Sequence, residues 1–133
     1  MIAIPSDVVA AMGEHAVNGY PFEVCGLMIG APGSDRIDRF VPCTNIAASA
    51  KVYTIDPKEH LKAEIAAEKD GLEVLGVMHS HTHSEAFPSA TDVAQAPDPG
   101  WHYLIVSLKS GAPQPRSFRI VNGEIIEEEI SIA

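Results

Sequence analysis

Val8, Val9, Met12 and Val17 fall at mixed spacings of three and four residues in PSDVVAAMGEHAVNGY, the period of a helix with one apolar side. Ser6 ahead of them is an N-cap residue and Asn18-Gly19 behind them a stop, so a helix is predicted over 6–18. The next apolar run, FEVCGLMIG, is short and ends in APGSD, which reads as a buried strand followed by a turn. RIDRFVPC alternates and supplies the return strand of a hairpin. After a looser stretch, VYTI reads as another short strand. Asp56-Pro57 then opens a helix, DPKEHLKAEIAAEKDG, with Leu61, Ile65 and Ala66 on its apolar side. LEVLGVMHSH is apolar almost throughout, as a strand covered on both faces is. SATDVAQA is a short helix halted by PDPG. WHYLIVSL, PRSFRIV and EIIEEEISI are three closing strands, the last two joined at the hairpin dipeptide Asn122-Gly123. The sum is an α+β chain, a mixed sheet with two main helices and a short third one. No repeat or linker divides residues 1–133, so one domain is expected.

Composition narrows the function classes. A chain of 133 residues, 46% apolar and 20% charged, has enough apolar side chains for one sizeable core and too many for a disordered segment. The net charge is −9, with acid concentrated over 59–73 and in NGEIIEEEI and no Lys/Arg cluster. Nucleic acids and anionic membrane surfaces are therefore poor partners. No apolar run approaches the ~20 residues of a membrane span, and MIAIPSDVVAAM lacks the basic start of an export signal. Cys25 and Cys43 alone make no disulfide framework, so a reducing cytoplasm is the expected compartment.

The chemistry is concentrated in LGVMHSHTHSEAFPSATD. On a strand, His79 and His81 point to the same face, where two imidazoles reach one metal ion. Asp92 is the best third ligand because it begins the next helix, where the chain must turn back. Two His and one carboxylate leave a fourth tetrahedral position open, the pattern of a catalytic zinc site rather than a closed structural one. A water at that position still needs a general base. Glu23 is the choice, a carboxylate in an apolar strand that is costly to bury without a partner. Ser89-Ala-Thr-Asp92 also reads as a capping box.

Taken together, Glu23, His79-Ser80-His81, ten intervening residues, Asp92 and Ser89 three positions before it resemble the JAMM (MPN+) zinc metalloproteases. That family removes ubiquitin and ubiquitin-like proteins. Starting instead from His81 and His83 puts Ala94 at the third position, which cannot bind metal. The resemblance implies one Zn2+ per chain held by His79, His81 and Asp92, Glu23 as general base, and Ser89 as a donor to the oxyanion. It also implies the family's α/β sandwich, related to cytidine deaminases. HSHTHSEAFPSATDV, WHYLIVSL and FRIVNGEIIEEEI resemble an actinobacterial branch that acts on a ubiquitin-like sulfur-carrier protein and releases cysteine from its C-terminus. The chain is too short for the insertions of the deubiquitinating members, which suits a flexible substrate tail in a bare groove.

Cys25, Ser80, His83 and Glu85 are expected around the site, in a supporting layer or on the groove, and not as ligands. For Cys25 a small buried thiol is the plainer role. His15, His60 and His102 take structural or solvated roles by default. Competing functions are an isopeptidase acting on lysine conjugates and a metal-free partner-binding module of the same fold. A small-molecule deaminase is a third, but its H-x-E and P-C-x-x-C motifs do not occur. The oligomeric state is left open, a homodimer included.

Overall fold

Glu73–His81 (β4) is the strand about which the sheet is arranged, and seven of its nine residues, Leu75 to His81, are buried. The computed structural model describes all 133 residues. On one side β4 pairs antiparallel with Cys25–Gly30 (β2), itself hairpinned to Ile37–Cys43 (β3). On the other it pairs in parallel with His102–Ser107 (β5), followed antiparallel by Gln114–Val121 (β6) and Glu124–Glu128 (β7). The six-stranded order is β3-β2-β4-β5-β6-β7, a mixed sheet as predicted.

Alternation along the strands sends side chains to two cores. Met28, Met78, Leu104 and Val106 pack with Val8, Met12 and Ala16 of Ser6–Gly19 (α1). Cys25, Leu27 and Ile29 pack with Ala63 and Ala67 of Pro57–Lys69 (α2) on the opposite face. Helices on both faces explain why β2, β4 and β5 read as nearly unbroken apolar runs. The third helix, Ala90–Ala94 (α3), lies at the end of the chain segment that leaves β4.

Several expectations change in detail. Pro5, not Ser6, occupies the N-cap of α1, and no side chain caps it; Val8 and Val9 N–H groups go to the Pro5 carbonyl instead. Val17 is half exposed, its place on the buried side being taken by Ala16. In α2 the two alanines face the sheet while Leu61 and Ile65 are 58% and 48% exposed. Small residues at 63 and 67 let the helix approach closely, and this fixes its rotation against the larger side chains. The Asp56 cap and Pro57 start are as predicted. VYTI is not a strand: its only ladder contact is an isolated bridge between Ile55 and Asn45. The C-terminal run divides at Glu129, and Ile130–Ile132 (β8) pairs in parallel with Ile2–Ile4 (β1) in a separate two-stranded sheet. The Asn122-Gly123 turn has both residues at positive φ, 51° and 80°, as a tight hairpin requires.

His102, at the start of β5, is buried with Nδ1 2.6 Å from Glu128 Oε2 and Nε2 3.2 Å from Asp35 Oδ1. Ser117 also donates to Glu128 Oε2. This network ties β5 to the outer strands, far along the chain from the other histidines.

Gly76 sits where β4 is hemmed in on both sides. A Cβ there meets the carbonyl of His102 and the end of Met28. Because the carbonyl belongs to the ladder, Gly76→Ala is expected to cost about 2 kcal/mol, a fall of several degrees in Tm by calorimetry. An unchanged Tm would contradict this account of the β4–β5 pairing.

Candidate metal centre

β4 ends in His79-Ser80-His81, and the pleat puts both imidazoles on the face that carries Cys25, which is opposite His79 in the β2–β4 register. Ser80 points the other way. Its hydroxyl accepts from the Val24 N–H at 2.9 Å, and its own N–H donates to the Val24 carbonyl. Ser80 thus fastens the chain beside Glu23 to the strand between the two histidines and takes no place in a groove.

Asp92 is brought to the histidines by α3. Ser89 caps that helix: its Oγ accepts from Asp92 N–H at 3.1 Å, and its own N–H donates to Asp92 Oδ2 at 2.9 Å. The capping box therefore holds the carboxylate in one rotamer. Asp92 Oδ2 then lies 3.2 Å from His79 Nε2 and 3.1 Å from His81 Nε2, and the two Nε2 atoms are 3.1 Å apart. One atom from each of His79, His81 and Asp92 falls within 4.8 Å of the others.

The protons show what this cluster lacks. His81 Nδ1 is 2.8 Å from the Glu85 carbonyl oxygen, which only accepts, so Nδ1 carries the hydrogen. In the neutral ring Nε2 is then a bare lone pair facing a carboxylate oxygen. The centre is short of positive charge. Protonated His81 supplies it in part: burial opposes the charge, but the bonds to Asp92 and Glu85 outweigh burial and raise its pKa. Burial dominates at His79 and lowers its pKa, keeping it neutral. Burial also works against ionised Asp92, yet the hydrogen bonds from His79 and His81 hold its carboxyl well below the usual range. A divalent cation meets the same need, and two imidazole nitrogens with one carboxylate oxygen suit zinc with a position left open. The residues fit a metal.

Glu23 stands just before β2 rather than within it, and only 5% of it is exposed. Its Oε1 is buried with no protein partner. Burial pushes its pKa up to about 7, with the His81 charge pulling down and the Asp92 charge pushing up. Ser89 is exposed, and because its Oγ accepts from Asp92 N–H, its hydroxyl proton is left free to donate outward.

The remaining predicted neighbours lie outside the ligand group. Cys25 is fully buried, and burial pushes its thiol up to about 12, with the neighbouring Cys43 adding to the rise. It is a packing residue. His83 is exposed, held between the Tyr20 hydroxyl and Thr82 Oγ1 at 3.1 and 2.9 Å. Glu85 contributes its carbonyl to His81, while its carboxylate is exposed. The other three histidines have partners outside the site: His15 meets the Cys25 carbonyl, His60 lies beside Glu64 one turn along α2, and His102 beside Glu128.

Asn45 and Tyr53 also build the site, and neither is marked by the pattern of the chain. Asn45 spends its side-chain amide on the loop ahead of α2 and on the Glu23 main chain. Its Nδ2 donates to the carbonyls of Glu23 and Val52, and its Oδ1 accepts from Ala47 and Thr54 N–H groups. Tyr53, between those anchor points, stacks on the His79 ring with centroids 4.4 Å apart and planes 20° apart. An Asn in a polar loop is the only local signal, and it announces a turn rather than a site.

The class that this fold and donor set define is a hydrolase. Residues 5–121 match the model of prokaryotic homologs of the JAB domain, and the chain belongs to that family, the JAMM peptidases. It is 40% identical over 133 residues to the CysO-cysteine peptidase of Mycobacterium tuberculosis, covering 99% of this chain and 91% of that one. It is 39% identical over 95 residues to a desampylase of Haloferax volcanii, covering 71% and 68% of the two chains. A solution structure of a Desulfitobacterium hafniense protein, 36% identical, superposes with a TM-score of 0.91 over 100% of this chain and 93% of that one.

The raised Glu23 pKa has a consequence for stability. The folded, metal-free chain favours the protonated acid, so this contribution is fully present below pH 4.5 and is lost as pH rises through about 7. Metal-free Glu23→Gln is expected to gain stability relative to wild type between about pH 5 and about pH 8 in urea denaturation. A difference that stays constant over that range would contradict the burial account.

Proposed function

We propose that residues 1–133 form one zinc metallopeptidase domain. It hydrolyses an amide bond at the C-terminus of a ubiquitin-like sulfur-carrier protein and releases cysteine, in the service of cysteine biosynthesis. The observation that carries the reading is the convergence of His79 Nε2, His81 Nε2 and Asp92 Oδ2 beside a buried, unpartnered Glu23 oxygen. The 40% identity to a CysO-cysteine peptidase over nearly the whole of both chains supports the substrate.

In this proposal His79, His81 and Asp92 hold one zinc ion. When bound, zinc lowers the pKa of a coordinated water and polarises a carbonyl group. Glu23 takes the proton from the attacking water, whose oxygen adds to the amide carbonyl carbon. As the C–N bond breaks, Glu23 passes that proton to the departing nitrogen; the remaining hydroxyl proton is then lost to the released amine, and the carrier leaves as a carboxylate. In the metal-free chain burial raises the Glu23 pKa to about 7, and a base drawn toward neutrality is suited to both halves of this exchange. The Ser89 hydroxyl, anchored by the Asp92 N–H, donates to the oxygen that becomes negative, where a fixed donor is worth most. Ser80 and Asn45 hold Glu23 by its own carbonyl and by the adjacent Val24 backbone, so the base is positioned through main-chain bonds.

No helix is long and apolar enough to cross a membrane. Both cysteines are free and buried, in keeping with a cytoplasmic setting.

Carrier–cysteine fusions, carrier fusions ending in other residues and a carrier joined to a lysine side chain discriminate the substrates. Carrier–cysteine is expected to be cleaved fastest, and a zinc chelator to abolish cleavage. Glu23→Gln should lower kcat at least 100-fold, within the range for losing a general acid–base, with the zinc content unchanged. Chelator-insensitive cleavage would refute the mechanism. Preference for the lysine conjugate would replace cysteine release with deconjugation.

A further inference from the structure

The two histidines of the centre are held by different means. His81 has the usual arrangement, one ring nitrogen facing inward and the other fixed by the Glu85 carbonyl at 2.8 Å. Such an outer hydrogen bond sets the tautomer and plane of a ligand imidazole. His79 has none: its Nδ1 is buried with no hydrogen-bond partner. An imidazole without that bond is free to tilt about χ2, a broad torsion. Yet its Nε2 is aimed at Asp92 as closely as that of His81.

The Tyr53 ring lies against the His79 ring at 4.4 Å and nearly parallel, at 20°. No hydrogen-bonding group holds His79 from the Nδ1 side; the His81 ring meets it edge-on at 5.0 Å and 63°, and the Tyr53 stack is the face-to-face contact along its plane. Tyr53 is itself placed by bonds on either side of it. The Val52 carbonyl accepts from Asn45 Nδ2 at 3.0 Å, and Thr54 N–H donates to Asn45 Oδ1 at 2.9 Å. Ile46 N–H also bonds the Thr54 carbonyl at 2.9 Å. The loop is a clamp with an aromatic plate at its centre.

We infer that Tyr53 is a positioning residue for the metal centre, its ring stack doing for His79 what the Glu85 carbonyl does for His81. The inference rests on the proposed reading of His79 as a zinc ligand. It concerns the ring and not the hydroxyl, so Phe serves and an aliphatic residue of similar bulk does not. Removing an outer-layer contact typically weakens metal binding 10- to 100-fold.

The test is the zinc dissociation constant, measured by competition with a chromophoric chelator, for wild type, Tyr53→Phe, Tyr53→Leu and Ile55→Ala. Melting curves of the metal-free proteins establish that each is folded. Ile55→Ala removes apolar bulk from the same loop and serves as the packing control. Tyr53→Phe is expected to bind within about threefold of wild type, and Tyr53→Leu about 10- to 100-fold more weakly. Ile55→Ala is expected to melt lower with its zinc affinity intact. Wild-type affinity in Tyr53→Leu would overturn the inference, as would equal losses in Tyr53→Leu and Ile55→Ala. A wild type that binds no zinc, or His79→Ala that binds it normally, would instead overturn the reading of the site.

Discussion

One oxygen atom, Asp92 Oδ2, ties the end of β4 to the start of α3. It accepts from the Ser89 N–H and lies within hydrogen-bond distance of both histidine Nε2 atoms. A carboxylate this far out of water is stable only if its lone pairs are matched. The match requires the end of β4, the start of α3 and the intervening turn to hold their relative positions. Helix α3 is only five residues long and has little stability of its own. Its capping box and its link to the histidines are the same side chain, so the helix and the site form together.

The sheet supplies the rigidity that this convergence needs. β4 and β5 run parallel and end side by side, leaving their carboxyl ends open, where ligands of α/β sheets bind. The face toward α1 is filled by Met28, Met78, Leu104 and Val106, which carry no polar groups. The opposite face carries the histidines, and Ser80 between them pins Val24 at the end of the β2–β4 ladder. Glu23 is thereby held by backbone bonds at residues 23 and 24 while its carboxylate stays unpartnered. Fixed backbone and an unsatisfied head group are what a proton carrier requires. The cost is the burial that raises its pKa to about 7.

Much of this was legible in the residues. The spacing of His79, His81 and Asp92 pointed to a shared metal, because period two and a capped helix start are both local signals. The structure brings the three together. The helix over 6–18 and the central strand follow from their apolar patterns, and the helix from Asp56-Pro57 and the Asn122-Gly123 hairpin from cap and turn residues. What was not legible depends on distant contacts. Leu61 and Ile65 look like a core face until Ala63 and Ala67 are seen to allow a closer approach to the sheet. The pairing of β1 with β8 joins the two ends of the chain, and three residues give too short a pattern to announce it. VYTI has strand composition, but its bonds run to the Asn45 side chain, so Tyr53 reaches His79 from an irregular loop.

A buried cluster of two imidazoles and one carboxylate, without sulfur, is the zinc site proposed for this chain. Zinc K-edge X-ray absorption on the zinc-loaded protein tests it most directly, since nitrogen and oxygen ligands at about 2.0–2.2 Å are distinguished from sulfur at about 2.3 Å. The predicted spectrum has a four-coordinate shell of nitrogen and oxygen with the multiple scattering of two imidazoles, reduced to one in His81→Ala. A sulfur ligand drawn from Cys25, or two imidazoles persisting in His81→Ala, would contradict it.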